Sequence, residues 1–560
     1  MKRTIILWSI LFLTFLNGCK SEKEIMHNEL KAFIVEFEKK IKPLNEEAAL
    51  TYFDATVTGS KELFDKYEKL QLEIEKAYSN KEDFLKLKRI KESNLIEDPL
   101  MLRELDLLYK AFLSRQADEK LREQIIKLST QTENIYSTFR TKVDGKELTD
   151  NEIEDILTNS TNEKELEKVY LASKQVGKAV ADSVLKLVKM RNELARQLGF
   201  ENYHQMSLIL SDQDPNEIEN IFDELDSLTR DIFAQLKNEI DNYLCSRFKI
   251  TKDKLRPWHY QNRFFQEAPK IYQVDLDQYY KNQNIAELAR KYFNSLDLNV
   301  DDILAKSDLY EKEKKYQHAY CITIKRNDDV RILCNIKPDS KWMNTTLHEL
   351  GHAVYDRYIN PSLPYFLREP AHTFVTEAVA MFFGRLASDP VWMKDLAVIS
   401  DEEAAKISEI TFKILKLEQL VFSRWAQVMY RFEKAMYENP DQDLNSLWKN
   451  LVEKYQLLKY PENRNEPDWA AKIHIALYPA YYHNYLLGEL LASQFNYKIK
   501  SDMLKIDPNF PASFYNDKSV GKFFKEKVFS VGASYPWNKM IEKATGEKLT
   551  AKYYALQFVK

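Results

Sequence analysis

The chain has 560 residues, with 82 lysines and arginines against 86 aspartates and glutamates, and its formal net charge is −4 at pH 7. This balance gives no electrostatic basis for binding nucleic acid, so we expect no such partner. Only 11 residues are glycine, far below the usual share of about 7%. Few glycines and long charged stretches with helical periodicity predict a mostly α-helical protein.

The first residues predict export from the cytoplasm. Lys2 and Arg3 precede an apolar run, residues 4–16, that is shorter than the roughly 20 residues needed to span a bilayer. The sequence Leu-Asn-Gly before Cys19 resembles the lipobox of bacterial lipoproteins. The resemblance implies a signal peptide over residues 1–18, a lipid on the cysteine and anchorage to a bacterial membrane. An ordinary secretory signal is the alternative, and either one implies an extracytoplasmic protein.

The rest of the chain is predicted to form one helical domain over residues 24–560. Apolar residues recur at helical spacing over residues 24–240, which we interpret as amino-terminal helices and a lid. Residues 310–560 are predicted to form the catalytic lobe, so that two lobes flank a deep channel. We expect the protein to be a monomer.

A β-hairpin is predicted directly before the helix that carries the main motif. Apolar, β-branched residues flank a polar turn at Asn327 and Asp328. With a two-residue turn, Cys321 and Cys334 would face each other across the strands. A disulfide and two buried free thiols are both compatible with this pattern.

The motif is His-Glu-Leu-Gly-His at residues 348–352. Residues four apart share one face of a helix, so His348 and His352 can bind one zinc ion. Glu349 is then placed to act as the general base on the attacking water. A pair of solvated surface histidines is the alternative interpretation.

Zinc needs a third protein ligand, and Glu377 is the best candidate. It lies in a strongly apolar helical segment, where a carboxylate is costly unless it is paired or binds a metal. A buried ion pair with Arg368 or Arg385 is the alternative. Glu369 and His372 are rival ligands in less apolar surroundings.

These motifs resemble the angiotensin-converting-enzyme family of zinc peptidyl-dipeptidases in a bacterial single-domain form. Besides the zinc motif and the third ligand, four stretches carry the resemblance. They are Met-Arg-Asn-Glu-Leu-Ala from residue 190, Gln-His-Ala from residue 317, Leu-Arg-Glu from residue 367 and Ala-Lys-Ile-His from residue 471. The resemblance implies a helical ellipsoid with a deep channel, one zinc ion and oligopeptide substrates.

The resemblance also implies how a substrate is held and activated. His474 and Tyr485 would donate hydrogen bonds to the oxyanion of the tetrahedral intermediate. His318 and the backbone of Ala319 would hold the substrate chain.

Further family positions imply a pocket for the free C-terminal carboxylate of the peptide. Lys472 and Tyr482 would bind it, with Gln266 as a possible third group. The tyrosine segment is one residue longer than in the family, so Tyr481 competes with Tyr482 for this role. Asn484 stands where the animal enzymes have an arginine linked to chloride activation, so no chloride dependence is expected.

One departure from the family affects the surroundings of the metal. The family tends to have aspartate four residues after the third ligand, where this chain has Met381. The group that orients a zinc histidine is therefore expected elsewhere, with Glu369 and Asp356 as candidates.

Two other functions remain open on the sequence. An endo-oligopeptidase of the thimet or oligopeptidase-F type shares the zinc motif but cleaves internally. A lipoprotein that binds peptides without hydrolysing them is the second alternative.

Overall fold

The computed structural model describes residues 21–508 and 510–559. The predicted signal peptide and Cys19 lie outside these residues. Within the described ranges, no helix is long and apolar enough to cross a membrane.

The first part of the chain is helical, as its periodicity predicts. Several helices begin after a residue such as Ser60, Asn80 or Asp98, whose side chain accepts a hydrogen bond from a free backbone N–H of the first turn. A short hairpin, β1–β2, was not predicted. The elements are α1 (Glu22–Thr58), α2 (Lys61–Tyr78), α3 (Lys81–Ser93), α4 (Pro99–Leu113), α5 (Glu119–Thr138), β1 (Thr141–Val143), β2 (Lys146–Leu148), α6 (Asp150–Asn159), α7 (Glu163–Ser173), α8 (Gln175–Gln197), α9 (Tyr203–Leu210) and α10 (Pro215–Phe248).

Helices also dominate the second half, which confirms the mostly α fold class. One further antiparallel hairpin, β3–β4, precedes the helix of the zinc motif. The elements are α11 (Asp277–Tyr280), α12 (Ile285–Ser295), α13 (Asp301–Lys306), β3 (Tyr320–Lys325), β4 (Asp329–Leu333), α14 (Ser340–Tyr358), α15 (Thr373–Gly384), α16 (Pro390–Asp395), α17 (Asp401–Glu438), α18 (Leu444–Leu451), α19 (Ile473–Leu477), α20 (His483–Tyr497), α21 (Lys518–Phe523), α22 (Trp537–Thr545) and α23 (Lys552–Phe558).

The predicted hairpin exists, but its register differs from the one that a two-residue turn would give. The loop is longer, with Asn327 in the left-handed region at φ 69°, and a bulge lies between Thr323 and Lys325. Cys321 therefore pairs with Ile332 instead of Cys334. Both cysteines are free thiols.

The buried apolar side chains form two large clusters, and Phe422 packs against both. One cluster contains residues of α14, α15 and the body of α20. The other contains residues of α8, α17 and α19, together with Tyr482 just before α20. A smaller cluster joins α1, α3 and α4 to Tyr365 and Phe366. Side chains from both large clusters can therefore reach the start of α20.

Candidate metal centre and catalytic cleft

The zinc motif lies on α14, which packs closely against α15. The side chain of Asp339 caps α14 by accepting the Trp342 N–H at 2.7 Å. Gly351 faces α15, where an added Cβ atom would lie 2.7 Å from the Cα of Ala380. The glycine inside the motif thus lets the two helices approach, which brings Glu377 of α15 beside the histidines of α14.

Three predicted ligands converge at this helix contact. The Nε2 atoms of His348 and His352 lie 3.6 and 3.8 Å from the same oxygen, Oε2, of Glu377. The ligand atoms of all three residues lie within 4.8 Å of one another. Ligand atoms around a tetrahedral zinc ion lie about 3.3 Å apart, so this geometry fits one ion.

The protonation states also suit a metal. Burial lowers the pKa of His348 to about 4 and the pKa of His352 well below its usual value, so both imidazoles are neutral at pH 7. Neutral imidazole is the form that binds metal. The Nδ1 of His352 lies 2.7 Å from the hydroxyl oxygen of Thr376, which leaves Nε2 directed at Glu377. Sequence reasoning missed Thr376, although it directly precedes the third ligand.

The groups predicted to orient a histidine have other partners. The carboxylate of Glu369 pairs with Arg326, so this prediction was wrong. The carboxyl group of Asp356 accepts a hydrogen bond from Thr323 at 2.5 Å, which ties α14 to the hairpin instead. The rival ligand His372 caps α15 by accepting the Phe374 N–H at 3.2 Å.

Glu349 lies beside the three ligands and is only 7% exposed. Burial, and then the charge of Glu377, raise the pKa of its carboxyl group to about 8, while a hydrogen bond from the Cys321 backbone N–H acts in the opposite direction. A bound cation would favour the carboxylate form. A carboxylate in this position can accept a proton, as a general base must.

Two hydrogen-bond donors predicted for the oxyanion lie together. The rings of His474 and Tyr485 are 5.9 Å apart between centroids. Burial lowers the pKa of His474 to about 4 and raises that of Tyr485 to about 12, so at pH 7 one is a neutral imidazole and the other a phenol. The charge of Glu377 acts on both Tyr485 and Tyr481, which places both tyrosines near the third ligand.

Lys472 lies in an aromatic pocket. Its ammonium is within 5.5 Å of the ring centroids of Phe264, Trp425 and Tyr482, and it donates a hydrogen bond to the side-chain oxygen of Gln266. The residue is 6% exposed. No carboxylate of the described residues is in ion-pair contact with it, although the charges of Glu267 and Glu154 act on it from a greater distance. The structure thus places Tyr482 in the pocket with Lys472.

Tyr481 occupies a different environment from Tyr482. Its ring packs against Tyr485, with centroids 5.4 Å apart. The two adjacent tyrosines therefore lie in different parts of the site.

The predicted substrate-holding strand begins later than expected. Strand β3 starts at Tyr320, so His318 and Ala319 lie in the turn before it. His318 is exposed and its ring packs against Tyr316, with centroids 5.4 Å apart. Both residues lie shortly before Cys321 of β3, the residue whose backbone acts on Glu349.

One cavity, of about 520 Å³, is lined by His348, Met381 and Glu418, among others. Another, of about 460 Å³, lies between α1 and β3 and is lined by Cys321 and Asp356, but by none of the three predicted ligands. The first cavity therefore provides open space beside His348.

Two neutral histidines one turn apart, a glutamate on the adjacent helix and a buried carboxyl group beside them define a metallopeptidase site. The family model described as angiotensin-converting enzyme, of the M2 peptidases, matches residues 25–558. The chain therefore belongs to the angiotensin-converting-enzyme family, which is zinc-dependent. The resemblance found in the motifs is confirmed.

Individual relatives are distant. The mouse angiotensin-converting enzyme-like protein Ace3 is 23% identical over 452 residues, which cover 75% of this chain and 61% of the mouse protein. The angiotensin-converting enzyme of Haematobia irritans exigua is 25% identical over 73% of this chain and 72% of its own length. Carboxypeptidase 1 of Bacillus subtilis is 25% identical over 42% of this chain and 50% of its own length. The match thus spans less than two thirds of the mouse and Bacillus proteins.

Proposed function

We propose that the protein is a zinc peptidyl-dipeptidase, which hydrolyses oligopeptides and releases dipeptides from the C-terminus. The zinc ion would be held by His348, His352 and Glu377. Neutral imidazole nitrogens and a carboxylate oxygen at these separations support this ligand set.

The observation that carries the exopeptidase assignment is the environment of Lys472. A buried ammonium without a carboxylate partner is unfavourable, since its lost hydration is only partly replaced by Gln266 and three aromatic rings. The C-terminal carboxylate of a peptide would supply the missing negative charge. A pocket of this kind favours substrates with a free C-terminus over internal segments of a longer chain.

The reaction follows from the groups around the centre. When bound, zinc supplies Lewis acidity to the scissile carbonyl and to a water molecule. Glu349 takes a proton from the attacking water and delivers it to the leaving amine. His474 and Tyr485, both neutral donors at pH 7, stabilise the negative charge on the carbonyl oxygen.

The first experiment is mass spectrometry of the products from an unstructured peptide of about ten residues, a length suited to a channel-type site. The peptide is supplied as the free acid and as the C-terminal amide. Successive loss of dipeptides from the free acid alone is the expected result. Equal internal cleavage of both forms would refute the exopeptidase assignment and favour an endo-oligopeptidase.

A second candidate is a carboxypeptidase that removes single residues. The similarity to Carboxypeptidase 1 of Bacillus subtilis favours it. It would use the same pocket, but the reacting carbonyl would be the one directly before the C-terminal residue of the peptide. The same experiment separates the two, because loss of one residue at a time from the free acid identifies a carboxypeptidase.

The role of the base is tested by Glu349→Gln. This substitution leaves the three ligands in place but removes the proton acceptor, so zinc content should be unchanged and kcat should fall by about 10²- to 10⁴-fold. A variant that retains wild-type kcat would exclude Glu349 as the base. Purified wild-type protein that lacks near-stoichiometric zinc and hydrolyses no peptide would instead support a binding protein.

For location, we propose that the mature protein is lipid-anchored outside the cytoplasm, on the basis of the sequence around Cys19. Metabolic labelling with a radioactive fatty acid tests it. The wild type should incorporate label and Cys19→Ala should not. Equal labelling of both proteins would contradict the proposal.

A further inference from the structure

The two oxyanion donors lie on different helices that are joined by one short loop. His474 is on α19 and Tyr485 is on α20, and residues 478–482 connect them. In this loop, Ala480 adopts φ 54°, in the left-handed region. Residues with a Cβ atom are disfavoured there, so the loop needs an interaction that holds it in this shape.

That interaction comes from Glu433 on α17. Its Oε1 accepts a hydrogen bond from the Ala480 backbone N–H at 2.7 Å. Glu433 is 3% exposed, although it carries a carboxyl group. Burial raises its pKa to about 8, and the charge of Arg191 acts in the opposite direction. A polar group is retained in a protein interior when it makes a hydrogen bond that an apolar residue could not make.

The loop is also held at its other end by a separate set of contacts. The side-chain amide of Asn484 donates to the backbone oxygen of Tyr481 at 3.1 Å. The side-chain amide nitrogen of Gln213 in turn donates to the side-chain oxygen of Asn484 at 2.9 Å. The side-chain oxygen of Gln213 lies 2.8 Å from the Nε2 of His483. These contacts act on the first turn of α20, whereas Glu433 acts on the one loop residue with a left-handed backbone.

We propose that Glu433 is a positioning residue, which fixes the 478–482 loop so that His474 and Tyr485 point at the same oxyanion. The proposal rests on the proposed function, because it concerns the donors of that reaction. Among the described residues, the hydrogen bond of Glu433 goes to the backbone of Ala480, and none joins it to the predicted ligands or substrate-binding groups. Its loss should therefore affect the transition state more than substrate binding, since a displacement of about 1 Å at a reacting group costs about 10²-fold in rate.

The test compares three variants of the full-length enzyme on the free-acid peptide. Glu433→Met keeps the approximate volume and removes the acceptor, so kcat should fall by about 10- to 100-fold, with KM within about 3-fold and zinc content unchanged. Glu433→Gln keeps an acceptor oxygen and should stay within about 3-fold of wild-type kcat. Glu433→Met combined with Ala480→Gly should recover most of the lost kcat, because glycine adopts a left-handed backbone without a steric penalty.

Several results would overturn the proposal. A Glu433→Met variant that folds, binds zinc and keeps wild-type kcat would show that the loop needs no such anchor. If that variant does not fold, hydrogen exchange across residues 478–482 in Glu433→Gln replaces it. In Glu433→Gln, the protection of these backbone amides against exchange and the kcat should both match the wild type. Loss of that protection with an unchanged kcat would refute the role of Glu433. A wild-type enzyme that hydrolyses no peptide would overturn the proposed function itself.

Discussion

Substitution of the glycine in the zinc motif tests whether close helix packing builds the metal centre. In Gly351→Ala, the new Cβ atom would lie 2.7 Å from the Cα of Ala380, which is about 0.7 Å short of an ordinary contact. The obstacle is backbone on a buried helix, so no flexible side chain can move away. The two helices must therefore separate by several tenths of an ångström.

Two effects of this separation can be estimated. Overpacking a tight core contact costs about 1–3 kcal/mol of folding stability. Movement of α15 also carries Glu377 away from the histidines, and a misplacement approaching 1 Å costs about 10²-fold in activity. We therefore expect weaker zinc binding in competition with a chelator, a lower Tm and a fall in kcat/KM of up to about 10²-fold.

The matched control is Gly384→Ala on α15. An added Cβ atom there would lie 3.4 Å from the backbone oxygen of Asn344 and from the Cβ of His348, at the short end of ordinary contact, so stability should hold. Zinc affinity, Tm and peptide hydrolysis are measured for both variants. A Gly351→Ala enzyme that equals the wild type in zinc affinity and Tm would refute the view that this glycine sets the helix separation.

Three further predictions concern Thr376, beside the predicted zinc ligand His352, and Lys472, in the predicted carboxylate pocket. Thr376→Val removes the hydroxyl beside His352 and should weaken zinc binding by about 10- to 100-fold. Thr376→Ser keeps a hydroxyl and should retain the wild-type zinc affinity. If Thr376→Val and the wild type have equal affinities in a zinc titration, Thr376 does not orient His352. Lys472→Met should lower kcat/KM for the free-acid peptide by roughly 10- to 100-fold with unchanged zinc content. A Lys472→Met enzyme with the wild-type kcat/KM for the free acid would contradict a carboxylate contact. Burial, followed by the charge of Arg263, lowers the pKa of Lys472 to about 8, so the ammonium form is lost as the pH rises through that value. The kcat/KM for the free acid should accordingly decline above about pH 8 relative to Lys472→Met, and parallel pH profiles of the two enzymes would refute this assignment.

Local chemistry along the chain determined much of this picture. Helical periodicity, capping residues and the scarcity of glycine predict the mostly α fold, because these features act within a few residues of one another. The spacing of His348 and His352 predicts a shared ligand face, since an α-helix places such residues one turn apart. The apolar context of Glu377 predicts that it is the third ligand, because an unpaired carboxylate is unfavourable there.

Only the tertiary structure decided which distant groups meet. The register of β3–β4 depends on a bulge and a three-residue loop, which the alternation of apolar residues does not specify. Because of this register, Cys321 and Cys334 do not face each other, and both are free thiols. Thr376 orients His352 because α14 and α15 pack at Gly351, a contact between separate helices.

In the segment with Tyr481 and Tyr482, too, the sequence leaves open what the tertiary structure decides. The resemblance leaves two adjacent tyrosines as candidates for one role, and the structure shows where each of them lies. Tyr482 reaches Lys472 and Tyr481 reaches Tyr485. The loop that carries them contains Ala480, whose backbone N–H donates to Glu433 on another helix. Local sequence therefore determines the helices and the type of ligand. Packing between helices determines which hydrogen-bond donors and which cations share the cleft. Contacts between helices depend on backbone geometry that no local sequence pattern encodes.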